Sequence, residues 1–376
     1  MELKTKNQYS YFIYPFVIDE KKYDKYLLKL LKDKNCKLKL WEKEDNLNLY
    51  TYFTSEVREY LFWPFSFSDD KKEKLEELDD ELESKILCQN ECTMFEYILE
   101  PDVQGKLGEN NGMFFNIKTL EIVCFKTGIY FIVLKTTLGD ENEIVDVLDF
   151  NNKVRNVNPL FVSTKENEKI RIQTNSLRDI KELSTIIKDI IGTNHDTKEA
   201  KIEKERILTY SYIGIDKEDW NQNEQLGEYF TKLYSILPND CKIDSSEGKQ
   251  SEKDNICEIS KFAKIGATKQ GSVLISSNED KENYINLSCL YEKEYLYTYI
   301  LTVYKKIFLN NINVEFKKTA NFEKTKAKLL EFTEKIWIQK ITNNKEAYKL
   351  QKKWEEILEL NNIYEQLKMN MKSFIK

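Results

Sequence analysis

Residues 113–137 read MFFNIKTLEIVCFKTGIYFIVLKTT. Aromatic and β-branched side chains crowd this stretch, and Lys126-Thr127-Gly128 interrupts it with the residues of a tight connection. That composition suits a pleated, half-buried surface and predicts two strands joined as a hairpin. Its most apolar run, GIYFIVL at 128–134, is strand-sized, far below the roughly 18 residues of a membrane-spanning helix.

Upstream, residues 20–34 place Tyr23, Leu27, Leu30 and Leu31 on one helical face. Residues 69–88 give an acidic helix with Leu75, Leu78, Leu82 and Ile86 in register. Its carboxylates, Glu76, Glu77, Asp79 and Asp80 among them, are mixed with lysines and read as a solvated face. Downstream, a helix is expected over 140–155, with Pro159 blocking its continuation. A second covers 176–191, between Ser176 and Gly192. RILTYSYIGI at 206–215 is a strand, and a helix near 223–236 stops before Pro238. Residues 239–258 have the composition of a loop. In KFAKIGATKQGSVLISSN, Gly266, Gly271 and Ser272 imitate a phosphate-binding loop, but no lysine precedes Ser272 and VLIS reads as strand. A hairpin with glycine turns is the expected structure there.

From about residue 286 the pattern turns helical, over 286–309 and 320–342. In the last segment Ala347, Leu350, Trp354, Ile357, Leu360, Tyr364, Leu367, Met371 and Phe374 recur every three or four residues. The seam is heptad-like, interrupted where two steps of three adjoin. It serves either packing on the preceding helix or self-association. No capping residue ends it before Lys376, so the reading frame is expected to continue. The expected class is therefore α/β: a domain over 1–285 with a mixed sheet flanked by helices, followed by long C-terminal helices over 286–376 forming a stalk.

Composition narrows the function classes. Charged residues make up 32% of the 376, the net charge is −6, and mean hydropathy is −0.60. No global basic field is present to hold a nucleic-acid backbone, so direct nucleic-acid binding is not expected. The seven cysteines are odd in number and irregularly spaced, which fits a reducing compartment rather than a disulfide framework. Cys88 and Cys92 lie one helical turn apart, but no second pair or nearby histidine completes a zinc set. The sole histidine, His195, stands in a polar run. Catalytic triads and His-rich metal hydrolysis are thus disfavoured, and no enzyme is expected.

The stretch LLEFTEKIWIQKITNNKEAYKLQKKWEEILELNNIYEQLKMN resembles the helices that precede the membrane spans of CorA-like bacterial proteins. The upstream order is similar: MFFNIKTLEIVCFKTGIYFIVL, NNKVRNVNPLF, ILTYSYIGI, FAKIGATKQGSVLIS, then a tyrosine-rich helix from Tyr291. The likeness is to a divergent CorA branch, some of whose members are encoded beside type III CRISPR systems. The family's Gly-Met-Asn loop is absent; Asn111-Gly112-Met113 only reverses part of it.

The resemblance implies the cytosolic sensor part of a homo-oligomer, a pentamer in this family. It would work at the cytoplasmic face of the bacterial inner membrane, with two apolar spans beyond these residues. In the CRISPR-linked branch it implies antiviral gating by SAM-AMP, a nucleotide second messenger joining S-adenosylmethionine and AMP. Such a ligand asks for a cation to meet phosphate, aromatic faces for the bases and the sulfonium, and a carboxylate. Arg155, Arg206, Tyr210, Tyr212 and Lys269 lie in segments suited to this. Two other functions stay open: a CorA-like transporter that senses Mg2+ through interprotomer carboxylates, and a soluble α/β scaffold that self-associates through its helices.

Overall fold

Strand β1 (Thr5–Val17) carries apolar side chains on both faces: Tyr9, Tyr11 and Ile13 point one way, Phe12, Tyr14 and Phe16 the other. A strand of this kind must be covered twice, and it lies inside a sheet with helices on either side. The computed structural model describes residues 3–62, 75, 77–99, 103–108, 112–139, 142–156, 169–173, 181–192, 198–199, 207–222, 225–243, 255–318, 322–337 and 340–373.

The other strands are β2 (Cys36–Leu38), β3 (Cys92–Tyr97), β4 (Gln104–Leu107), β5 (Met113–Phe125), β6 (Ile129–Thr137), β7 (Ile170–Gln173) and β8 (Lys181–Glu182). They continue with β9 (Lys198–Glu199), β10 (Leu208–Ile215), β11 (Ile256–Ser260), β12 (Ala263–Thr268) and β13 (Gly271–Ser277). Their main order is β11-β12-β13-β10-β1-β6-β5-β4-β7-β8. Among the described residues β10 and β13 form the one parallel pair, so the sheet is mixed. The expected hairpin over 113–137 is β5–β6, and Gly128 takes a φ of 83° at its turn, a conformation that glycine enters without steric cost. The second expected hairpin is β12–β13. There Gly266 lets Tyr234 press directly against the strand backbone.

The helices, in chain order, are α1 (Tyr23–Leu31), α2 (Leu47–Tyr52), α3 (Ser55–Leu61), α4 (Asp80–Leu87), α5 (Ile144–Arg155), α6 (Leu183–Ile191) and α7 (Lys217–Gln222). They are followed by α8 (Leu226–Ser235), α9 (Lys281–Glu292), α10 (Glu294–Lys318), α11 (Phe322–Lys335), α12 (Lys345–Ile357) and α13 (Leu360–Ser373). Helices α1, α5, α6 and α8 cover the Phe12 face, while α2, α3 and α9–α13 cover the Tyr9 face. Each face has its own apolar cluster. The boundary expected at 285/286 falls inside α9, whose helical layer shares the Tyr9-face cluster with the sheet.

Several sequence expectations are corrected by the packing. Residues 286–309 belong to two helices, separated at Lys293. The final segment is also two helices, because Glu359 adopts a left-handed φ of 59°. The break falls where the two steps of three adjoin, and it turns both Leu358 and Leu360 inward. Helix α6 begins at Leu183, after β8 has paired with β7; Ser176 lies outside the described residues. Helix α5 begins at Ile144, where the Glu143 backbone N–H donates to Asp146 Oδ2 at 3.1 Å. Most of the expected acidic helix before residue 80 and His195 also lie outside the described residues.

Candidate functional site

Charged side chains in the apolar layer between sheet and helices need partners, and two lysine–glutamate pairs supply them where α9 meets α10. On β1 and β6, Tyr11 and Lys135 are cross-strand partners; on β5 and β6, Glu121 faces Val133. Pairing and the two-residue period place Tyr9, Tyr11, Glu121 and Lys135 on one sheet face. Helix α9 ends at Glu292 above them, and α10 brings Tyr297 in its first turn. Lys39 joins from the segment just after β2, fixed by its backbone N–H to Met94 O at 2.9 Å.

Lys39 Nζ donates to Glu121 Oε1 at 2.6 Å and to the Tyr297 hydroxyl at 3.2 Å. The Tyr297 hydroxyl donates to Glu121 Oε2 at 2.9 Å, so both carboxylate oxygens are engaged. Lys39 Nζ also lies 4.6 Å from the Trp41 ring centroid. Lys135 donates to Glu292 Oε1 and sits 5.0 Å and 5.8 Å from the rings of Tyr9 and Tyr11. The side chains retain 24% (Lys39), 15% (Glu121), 15% (Lys135) and 31% (Glu292) of their exposure, so the cluster reaches solvent at its rim. Burial first, then the Glu292 and Glu121 carboxylates, hold the Tyr11 hydroxyl well above its ordinary range. Burial and Glu121 do the same for Tyr297. These phenols are therefore neutral donors at physiological pH. The arrangement offers ammonium donors for an anion, carboxylates for a cation, and aromatic rings that suit a base or a cation.

Of the described residues singled out from sequence, none joins the ion pairs of this cluster, although Tyr210 and Tyr212 pack beside its Tyr11 and Tyr9 rings. Tyr210 and Tyr212 are fully buried in the Tyr9-face core. The Tyr210 hydroxyl donates to Tyr291 O at 2.9 Å, and its ring stacks on Tyr291 at 4.0 Å. The Tyr212 hydroxyl shares a 2.9 Å hydrogen bond with Ser276, and its ring stacks on Tyr9 at 5.3 Å. Neither ring presents a face to solvent. Arg155 ends α5, which Asn151 pins to the sheet through Ser10 and Ser211 at 2.8 and 3.0 Å. Its guanidinium is buried and donates to Ile236 O at 3.4 Å, just past α8, and to Gln270 Oε1. A cation at a helix C-terminus opposes the negative end of the dipole, which gives Arg155 a structural task. Lys269, in the β12–β13 turn, pairs with Glu359 at 2.8 Å. Arg155 and Lys269 thus meet at one turn, through Gln270 and Lys269 themselves. Arg206 lies outside the described residues.

Lys39, Trp41, Glu121, Lys135, Glu292 and Tyr297 were not singled out from sequence. The signal available was Glu121 and Lys135 standing inside otherwise apolar strands. Among the described residues no group of three or more His, Cys, Asp or Glu side chains is placed to hold a metal ion. None of the described helices is long and apolar enough to cross a membrane. Compared with protein-family models, curated proteins and solved structures, the chain matches none.

Proposed function

We propose that this chain is the ligand-sensing part of a CorA-like membrane effector in type III CRISPR defence, binding SAM-AMP without cleaving it. The part-buried cluster around Tyr11 carries the proposal. Its ammonium groups, carboxylates and aromatic rings match the phosphate, sulfonium and adenine chemistry of such a ligand. The resemblance in segment order adds the membrane context, with the spans and the homo-oligomeric channel lying beyond these residues. Of the described residues read from sequence, Lys269 is the one whose charge reaches the surface, at 31% side-chain exposure.

Calorimetric titration and thermal melts with SAM-AMP, AMP and S-adenosylmethionine test this directly. SAM-AMP at 100 times its dissociation constant stabilises the fold by about 2.7 kcal/mol, and each half alone binds more weakly. Lys39→Ala lowers the affinity while Lys269→Ala leaves it unchanged. Superimposable melts with a silent titration overturn the proposal, and a response to Mg2+ instead turns the reading to a transporter's cytosolic domain.

A further inference from the structure

The two ion pairs of the cluster are built differently. Glu121 is locked: both oxygens are engaged, by Lys39 and by Tyr297, from separate elements. Glu292 is held through one oxygen by Lys135 alone, is the more exposed carboxylate, and stands at the last residue of α9 where the helix breaks. Lys135, by contrast, keeps other company if Glu292 swings away. Its ammonium stays within cation–π range of Tyr9 and Tyr11, whose hydroxyls are tied to the α9 backbone at Ser288 O (2.6 Å) and Glu292 O (3.3 Å). A lysine fixed on two rings, facing a carboxylate that one rotamer change can remove, is an anion site already filled by the chain itself.

We propose that Glu292 is an intramolecular placeholder, its carboxylate occupying on Lys135 the position that a phosphate group of an incoming ligand takes. Binding is then an exchange of one anion for another at Lys135, and the freed Glu292 faces any cationic group the ligand carries. This rests on reading the cluster as a ligand site, and it names the half of the cluster that opens.

The probe is AMP, with SAM-AMP titrated in parallel, on wild type, Glu292→Gln, Glu292→Gln/Lys135→Met and Glu292→Gln/Lys135→Arg, each confirmed folded by its melt. Glu292→Gln removes the competing charge and binds AMP about tenfold or more tighter than wild type, the effect of about one charge-assisted hydrogen bond. Adding Lys135→Met abolishes that gain, and Lys135→Arg retains much of it, which a merely structural lysine would not do. Unchanged AMP affinity in folded Glu292→Gln, or a gain that survives Lys135→Met, overturns the placeholder. The proposed function fails separately: wild type silent to SAM-AMP, with the AMP gain present in Glu292→Gln, overturns that function and leaves the placeholder standing. SAM-AMP binding by wild type, with AMP affinity unchanged in folded Glu292→Gln, does the reverse.

Discussion

Lys305 lies in the middle of α10, almost fully buried, with Glu355 Oε1 3.6 Å away. Glu355 also accepts from Lys352 at 2.7 Å and from Gln351 at 2.8 Å. Burial pushes the Lys305 ammonium down to about 8, against the pull of Glu355. The unfolded chain holds that proton up to the ordinary lysine value, so between about pH 8 and 10.4 it binds more protons than the native state. Stability therefore rises with pH across that window, by up to about 3 kcal/mol from this group. Lys305→Met should remove the dependence and, with Glu355 still served by Lys352 and Gln351, gain roughly 1–3 kcal/mol at pH 7. Urea unfolding of both proteins at pH 7 and 9.5 checks it, and a loss of stability in the mutant would mean that Glu355 depends on Lys305. In the sequence, Lys305 and Lys306 look like a solvent-facing pair; both are buried because α10 is packed on all sides from Glu294 to Leu309. The same physics hid the roles of Tyr210 and Tyr212. Where a sheet is covered on both faces, alternation no longer separates core from surface.

The seam of α12 and α13 shows what periodicity carries at the scale of an element. Spacing alone located its apolar residues and even its interruption, yet left intrachain packing and self-association equal. Trp354 settles its own case: its indole N–H reaches Ser272 Oγ at 3.3 Å, and its ring lies 5.3 Å from Tyr299. Leu350, Leu360 and Leu367 are buried with it in the same chain. Trp354→Asp and Leu367→Asp should therefore unfold or strongly destabilise the protomer, by about 3–5 kcal/mol or more, because each buries an unpaired carboxylate in a packed core. Folded variants of unchanged melting temperature but reduced mass by light scattering would return the seam to an assembly role. The β5–β6 and β12–β13 hairpins were legible for a local reason, since strand residues and a short connection adjoin in sequence. Gly128 turns the first, while Gly266 and Gly271 lie within the strands of the second, which turns at Lys269-Gln270. The cluster around Tyr11 was not, because its side chains come from five separate stretches between Tyr9 and Tyr297 that only the tertiary fold brings together.

Across the whole molecule, α9–α13 act as the second half of the core. A chain ending at residue 280 would expose Tyr9, Tyr11, Phe125, Phe131, Tyr210 and Tyr212 on one sheet face. Such a fragment should bind ANS strongly and lose near-UV circular dichroism; a soluble fragment with a sharp melt would show that the sheet sustains itself. The topology of β1 has a further consequence, for biosynthesis. Tyr11 leaves the ribosome well ahead of its register partner Tyr210, which follows roughly 200 residues later. At ordinary elongation rates the tyrosine- and phenylalanine-rich edge of β1 waits roughly 10–40 s for that partner. Until then the β10-facing edge of β1 stays open even after β6 has paired with the other, and an open strand edge of this composition is a template for aggregation in the nascent chain.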